Sequence, residues 1–222
     1  MISATKSLSV RLRQNVSGVA AVEFALTAPI VLTMFLSGAE LTNYAVTKMR
    51  VSQLVLHVAD NGSRIGTDTA LAVKQISEAQ INDLLIGANL QAGSLDLLHQ
   101  GRVILSSLEA MPAPDEAKFK VHWQRCFGQK VYSSAYGDQG ATNLTSFGPL
   151  TKQITSVPVG SAIMYVEISY TYKPLISSRL VPSTEFRDTA AMMVRDQRDF
   201  TGGVAASGVY NNENVVASTC PA

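Results

Sequence analysis

Residues 18–38 read GVAAVEFALTAPIVLTMFLSG, and this apolar run is the strongest indication of the fold in the sequence. Glu23 is the only ionisable side chain within it. A helix of about 20 apolar residues is long enough to cross a hydrocarbon core that is roughly 30 Å thick. The run therefore predicts a membrane-spanning helix and argues against a purely cytosolic protein.

The residues before this run indicate its orientation. Residues 1–17 contain no acidic side chain, and their basic side chains are Lys6, Arg11 and Arg13. Positive charge next to a membrane span favours the cytoplasmic side. We therefore expect the N-terminus to stay in the cytoplasm and the rest of the chain to be exported.

The overall composition limits the class of protein. The chain has 222 residues, a formal net charge of +1 and 16% charged residues. Globular chains carry about 25% charged residues, so part of this chain is expected to lie outside water. The length allows one domain with an appendage. Nucleic-acid binding requires a basic surface that neutralises phosphates, so a near-neutral chain argues against nucleic acid as a partner.

Two ordinary interpretations of the apolar run are open. In the first, the run is a secretory signal peptide that is cut at Ser37-Gly38-Ala39, but its apolar region exceeds the usual length of about 7–15 residues. In the second, the run is an uncleaved anchor. Glu23 would then cost about 2.5–3.5 kcal/mol at mid-membrane, or it would reach toward the headgroups. Neither interpretation gives Glu23 a function.

A third interpretation rests on the string GVAAVEFAL at residues 18–26, which follows the basic leader. This string resembles the processing site of type IV prepilins and, more narrowly, that of the TadE-like pseudopilins of tight-adherence (Flp, type IVc) pili. The resemblance implies cleavage by a prepilin peptidase between Gly18 and Val19, which makes Glu23 the fifth mature residue. Phe24 matches the Glu-Phe pair of TadE-like members.

This resemblance is strong from about residue 11 to residue 50, and it implies a non-enzymatic minor pseudopilin that primes or caps a tight-adherence pilus. The implied location is the bacterial inner membrane, with a cytoplasmic N-terminus and a periplasmic head. The implied partners are a prepilin peptidase, other pilin and pseudopilin subunits, the inner-membrane pilus assembly machinery and the lipid bilayer. The main alternative is an uncleaved, membrane-anchored exported binding or adaptor protein, and an exported enzyme comes third.

Electrostatics suggests what Glu23 would do in such a subunit. Cleavage would create an α-amine at Val19, about 6 Å from Glu23 along a helix that rises about 1.5 Å per residue. Neither charge is stable alone in a low-dielectric layer. We therefore expect Glu23 of one subunit to pair with the amine of a neighbour, and we expect this pairing to set the axial stagger between subunits.

Beyond Gly38 the pattern becomes amphipathic, which predicts that the helix continues to about residue 60 and stops at Asn61-Gly62. The predicted apolar stripe consists of Leu41, Tyr44, Ala45, Ser52, Val55, Leu56 and Ala59. The expected segments are a leader (1–18), a transmembrane half-helix (19–38), an amphipathic half-helix (39–60) and an exported head (61–222).

The fold class is predicted to be α+β, with the long N-terminal helix packed on a small antiparallel sheet of about four strands and with one further helix. That helix is expected at 77–90, where Ser77 and Gln80 can form a capping box. Strands are expected at 103–105, 119–123, 161–172 and 187–196, the first two as a hairpin. Alternation in the third strand predicts one core face and one face that is wet or covered by another subunit.

Groups with reactive chemistry are few. His57, His99 and His122 have no metal-ligand spacing and no catalytic motif is present, so we predict no catalytic residue, no cofactor and no metal site. Cys126 and Cys220 are either two buried thiols or a disulfide. An exported domain in an oxidising compartment favours the disulfide.

Overall fold

The computed structural model describes residues 17–69, 72–203 and 207–221. Most of the predicted leader therefore lies outside the described residues. The chain divides into two compact units. One contains the chain up to Tyr44 together with Pro174–Pro182, and the other contains Ala45–Lys173 together with Ser183–Ala222. The fold class is α+β, as the sequence predicts.

The longest element is helix α1, which runs from Ser17 to Arg64 and contains Pro29. The ring nitrogen of Pro29 cannot donate a hydrogen bond to the preceding turn. The helix nevertheless continues through this position. The long apolar helix predicted from the sequence is therefore confirmed.

The C-terminal end of α1 lies a few residues beyond the predicted stop, and Ile65 N donates to Asn61 O over 3.0 Å. Gly62 lies inside the helix and serves packing rather than termination. A Cβ atom on Gly62 would lie 3.4 Å from Leu105 Cδ1 and 3.8 Å from Met164 Cβ. The small residue thus lets α1 approach the sheet closely.

The buried face of α1 differs in phase from the predicted stripe. The buried residues of this part of the helix are Thr47, Val51, Leu54, Val55, Val58 and Ala59. Val55 and Ala59 are therefore predicted correctly, whereas Leu41 and Leu56 are about half exposed. Leu56 lies about 100° around the helix from Val55, which turns its side chain away from the sheet.

Several short elements follow α1. They are the small antiparallel pair β1 (Thr67–Thr69) and β2 (Ala72–Gln75), helix α2 (Glu78–Ala92) and the one-turn helix α3 (Leu97–Gln100). Ser77 caps α2 and forms the predicted capping box: Ser77 N donates to Gln80 Oε1 over 3.0 Å, and Gln80 N donates to Ser77 Oγ over 3.4 Å. The sequence does not predict β1, β2 or α3.

The main sheet contains β3 (Gly101–Ala110), β4 (Phe119–Phe127), β5 (Ala162–Thr171) and β6 (Glu185–Met193). Its strand order is β4-β3-β5-β6, and all neighbours are antiparallel. The four predicted strands and the β3–β4 hairpin are therefore confirmed. Both central strands are buried over almost their whole length.

The two faces of this sheet are covered by different parts of the second unit. Leu105 pairs with Val166 on the face that meets α1, and Ser106 pairs with Tyr165 on the other face. That second face was predicted to be wet or covered by another subunit, and this prediction was wrong. The chain's own segment 128–161 covers it.

Segment 128–161 lies between β4 and β5 and buries aromatic side chains without forming one of the named helices or strands. The second core consists of Leu108, Phe119, Val121, Phe147, Val157 and Tyr165. The rings of Phe147 and Tyr165 meet edge to face, with their centroids 4.9 Å apart. The segment lacks a sustained hydrophobic period, so periodicity alone does not reveal that it belongs to the core.

Candidate membrane and assembly segment

The N-terminal half of α1 exposes apolar side chains in every direction. Its most apolar 18-residue window has a mean hydropathy of 2.0, and none of that window is buried. Phe24 is 72% exposed and Phe35 is 73% exposed. Such a surface is costly in water and favourable in lipid or against other apolar helices. By length and composition, α1 can cross a membrane as a single span.

The residues predicted for processing and assembly lie together near the start of α1. Gly18, Val19, Glu23 and Phe24 all have exposed positions on the helix. Val19 and Glu23 are four residues apart, so they share one face. Within the described residues Glu23 forms none of the salt bridges. The sole carboxylate of the apolar run thus projects outward from the helix.

Two threonine side chains in this half of α1 bond to the backbone of the helix itself. Thr27 Oγ1 donates to Glu23 O over 2.9 Å, and Thr33 Oγ1 donates to Pro29 O over 2.7 Å. Hydroxyl groups in a membrane helix are expected to bond to backbone carbonyls of the preceding turn. The helix therefore satisfies the hydroxyl groups of these two threonines, and Glu23 is the ionisable side chain of residues 18–38.

Glu40 is a second acidic residue on α1, and no motif in the sequence indicates a role for it. Its side chain is fully buried, and Glu40 Oε2 accepts a hydrogen bond from Ile176 N over 2.7 Å. A buried carboxylate requires such partners because its desolvation is costly. The sequence marks Glu40 only as an acidic residue two positions after the apolar run. Its partner lies more than a hundred positions away in the chain, so the local sequence does not reveal the contact.

Residues 18–60 match the family of TadE-like proteins. This match begins at Gly18 and includes the exposed apolar half of α1, Glu23 and Glu40. Over these residues the match agrees with the resemblance to TadE-like proteins that the sequence suggests. No curated protein and no solved structure matches the chain.

The TadE-like match associates the chain with tight-adherence pili. The family is structural rather than enzymatic, and the exposed helix fits a pilus-related protein with a single membrane span. The matched region ends at residue 60, shortly before α1 ends. The sheet and the second core lie outside the TadE-like region.

The head that follows the TadE-like region contains a disulfide between Cys126 and Cys220, whose Cα atoms are 4.9 Å apart. Cys126 is near the end of β4, which is an edge strand of the sheet. Cys126 N also donates to Ser218 O over 2.7 Å. The C-terminal segment is thus held to the sheet edge both covalently and by the backbone. Exposed strand edges invite pairing with other chains, and this contact covers part of one.

A buried carboxylate joins β5 to the segment that covers the second sheet face. Glu167 is 1% exposed and accepts hydrogen bonds from Tyr132 Oη (3.2 Å), Ser134 Oγ (2.5 Å) and Ala135 N (3.2 Å). Burial raises the pKa of Glu167 above its usual value despite these donors. Burial, followed by the charge of Glu167, also raises the pKa of Tyr132 to about 12. The arrangement fastens the covering segment to the sheet.

The histidines of the head do not converge. His99 Nδ1 lies 2.6 Å from Asp96 Oδ1, and His122 Nδ1 lies 2.7 Å from Glu109 Oε2. Among the described residues, no group of three or more His, Cys, Asp or Glu side chains could hold a metal ion. Each of these two histidines lies beside one carboxylate, and the two pairs involve different residues.

Proposed function

We propose that this chain is a minor pseudopilin, a structural subunit that primes or caps a tight-adherence pilus after a prepilin peptidase cuts between Gly18 and Val19. One observation carries the proposal. A TadE-like helix exposes apolar side chains all around its N-terminal half and directs a single carboxylate, that of Glu23, outward.

The proposed segments follow from that helix. Residues 1–18 form a cytoplasmic leader, 19–38 cross the inner membrane, 39–60 continue the helix outside the bilayer, and 61–222 form a periplasmic head. The disulfide in the head supports export, because disulfides persist in oxidising compartments such as the periplasm. The basic leader supports a cytoplasmic N-terminus.

Assembly would use the same surface that faces lipid before assembly. The exposed apolar side chains pack first against acyl chains and then against the helices of other subunits. The new α-amine of Val19 on one subunit pairs with Glu23 of its neighbour, which removes two unpaired charges from a low-dielectric layer. Phe24, immediately after Glu23, packs against the neighbouring helix. The partners are therefore the peptidase, other pilins and pseudopilins, and the inner-membrane assembly machinery.

Pilus counts with two glycine variants test this role. Gly18→Val places a branched side chain at the proposed cleavage position and should leave cells without pili in a strain that lacks the parent chain. Gly38→Val is the matched control, because a Cβ at either glycine meets no atom within 4 Å. It should restore pili as well as the parent does. Normal piliation by Gly18→Val would contradict the proposal and favour an uncleaved anchored binding protein.

A further inference from the structure

Segment Pro174–Pro182 belongs to the same compact unit as the N-terminal half of α1. Its sequence is PLISSRLVP, which contains one basic residue, Arg179, and no acidic residue. Leu175 is 67% exposed and Ile176 is 44% exposed. Leu175 therefore projects from the loop, and the adjacent Ile176 is partly exposed beside it.

The backbone of this loop is held against α1. Ile176 N donates to Glu40 Oε2 over 2.7 Å, and the carboxylate that accepts the bond is itself buried. Ser177 Oγ accepts from Arg179 N over 3.3 Å at the start of a 3₁₀ turn, Ser178–Leu180. These bonds give the backbone N–H groups of Ile176 and Arg179 acceptors within the protein, while the side chain of Leu175 stays exposed. A low-dielectric layer requires that backbone N–H groups have such acceptors.

The place where the loop meets α1 is the end of the apolar run. Glu40 lies two residues after Gly38, about 3 Å further along the helix axis. Tyr44 follows one turn later, and tyrosine is enriched where membrane helices enter the headgroup layer. The loop therefore meets the helix at the level where the proposed span would leave the acyl chains.

We propose that Pro174–Pro182 is a membrane-contact loop that inserts Leu175 and Ile176 into the outer headgroup layer beside α1. Apolar side chains at such sites enter the boundary of the acyl chains by about 5–10 Å. Arg179 would lie near lipid phosphates, which attract basic side chains. The occupant of this surface is phospholipid, because the loop is continuous with the lipid-facing part of α1. The inference rests on the proposed membrane span.

Tryptophan quenching by brominated lipid tests the proposal. The full chain carries one tryptophan, Trp123, which is buried and supplies the background signal. Leu175→Trp is reconstituted in bilayers of phosphatidylcholine and phosphatidylglycerol whose acyl chains are brominated either near the headgroup or near the chain end. Leu32→Trp reports whether α1 enters the bilayer, and Leu150→Trp is the matched control on an exposed loop of the head.

We expect Leu175→Trp to show a blue-shifted emission and a loss of fluorescence that is larger with bromine near the headgroup. Leu32→Trp should be quenched more by deeper bromine. If Leu32→Trp is quenched and Leu175→Trp is quenched no more than Leu150→Trp, the contact loop is wrong and the span stands. If neither is quenched, the span fails and the loop proposal fails with it. Crosslinking of Leu175→Cys to another pilin without lipid quenching would also overturn the proposal.

Discussion

Removal of the Glu23 carboxylate should weaken assembly while leaving the subunit in the membrane. Glu23 is exposed and forms none of the salt bridges within the described residues, so the proposed partner amine belongs to another subunit. Glu23→Ala leaves that amine without a partner. Insertion should not suffer, because the variant makes the span more apolar. Cleavage after Gly18 should also continue, since the leader is unchanged.

The size of the effect follows from the cost of an unpaired charge. Removing one partner of a buried ion pair costs about 3–5 kcal/mol. Because about 1.36 kcal/mol corresponds to a tenfold change, the association constant should fall by roughly 10²–10⁴-fold. Glu23 is about 6 Å along the helix from Val19, the proposed first mature residue, and therefore near the edge of the bilayer, so the lower end of this range is expected. The measurement is a crosslinking titration of mature subunits in membranes.

Thr27→Ala is the matched control for this experiment. Thr27 lies one turn after Glu23 on the same face, but its hydroxyl donates to the Glu23 carbonyl of its own helix. Its removal should therefore leave association close to that of the parent, because this hydrogen bond lies within one helix and removes no charge from the interface. If Glu23→Ala crosslinks to other pilins as efficiently as the parent while it remains cleaved and folded, the pairing argument is refuted.

Three further predictions concern the head. Cys126→Ser with Cys220→Ser should lower the free energy of unfolding by up to about 4.7 kcal/mol in the loop-entropy model, measured by denaturant unfolding against the oxidised parent; equal stability would contradict it. Glu78→Ala leaves the buried Arg125 guanidinium without its ion-pair partner and should cost about 3–5 kcal/mol, whereas Asp83→Ala on the exposed side of α2 should cost little. Glu167→Gln removes a carboxyl group whose pKa is raised in the folded state, so the folded parent binds this proton at higher pH than the unfolded parent does. The parent should therefore gain stability relative to Glu167→Gln as pH falls from neutral toward 4.5, measured as the difference between their free energies of unfolding. A difference that is constant or falls over this range would contradict the last prediction.

Elements with a strong local signal are the ones that the sequence predicts. The apolar run predicts α1, and the Ser77–Gln80 spacing predicts the start of α2. Alternation predicts β5, whose two faces differ in chemistry. In each case the information lies within one helix or one strand, so no knowledge of distant residues is needed.

Features that depend on distant partners are the ones that the sequence analysis missed. The phase of the buried stripe on α1 depends on where the sheet lies, so Leu56 was placed on the wrong face. The polar side of β5 is buried because segment 128–161 returns over it and supplies three donors to Glu167. The pairing of Glu40 with Ile176 N joins positions 136 residues apart. Residue periodicity contains no information about such contacts.

The N-terminal mass of the mature chain is the most direct test of cleavage between Gly18 and Val19. Membranes of pilus-producing cells would be extracted, and the first peptide of the chain would be identified by mass spectrometry. We expect a chain that begins at Val19 in cells with an active prepilin peptidase and at Met1 in cells without it. A chain that begins at Glu40, or one that keeps Met1 while the peptidase is active, would show that this cleavage does not occur.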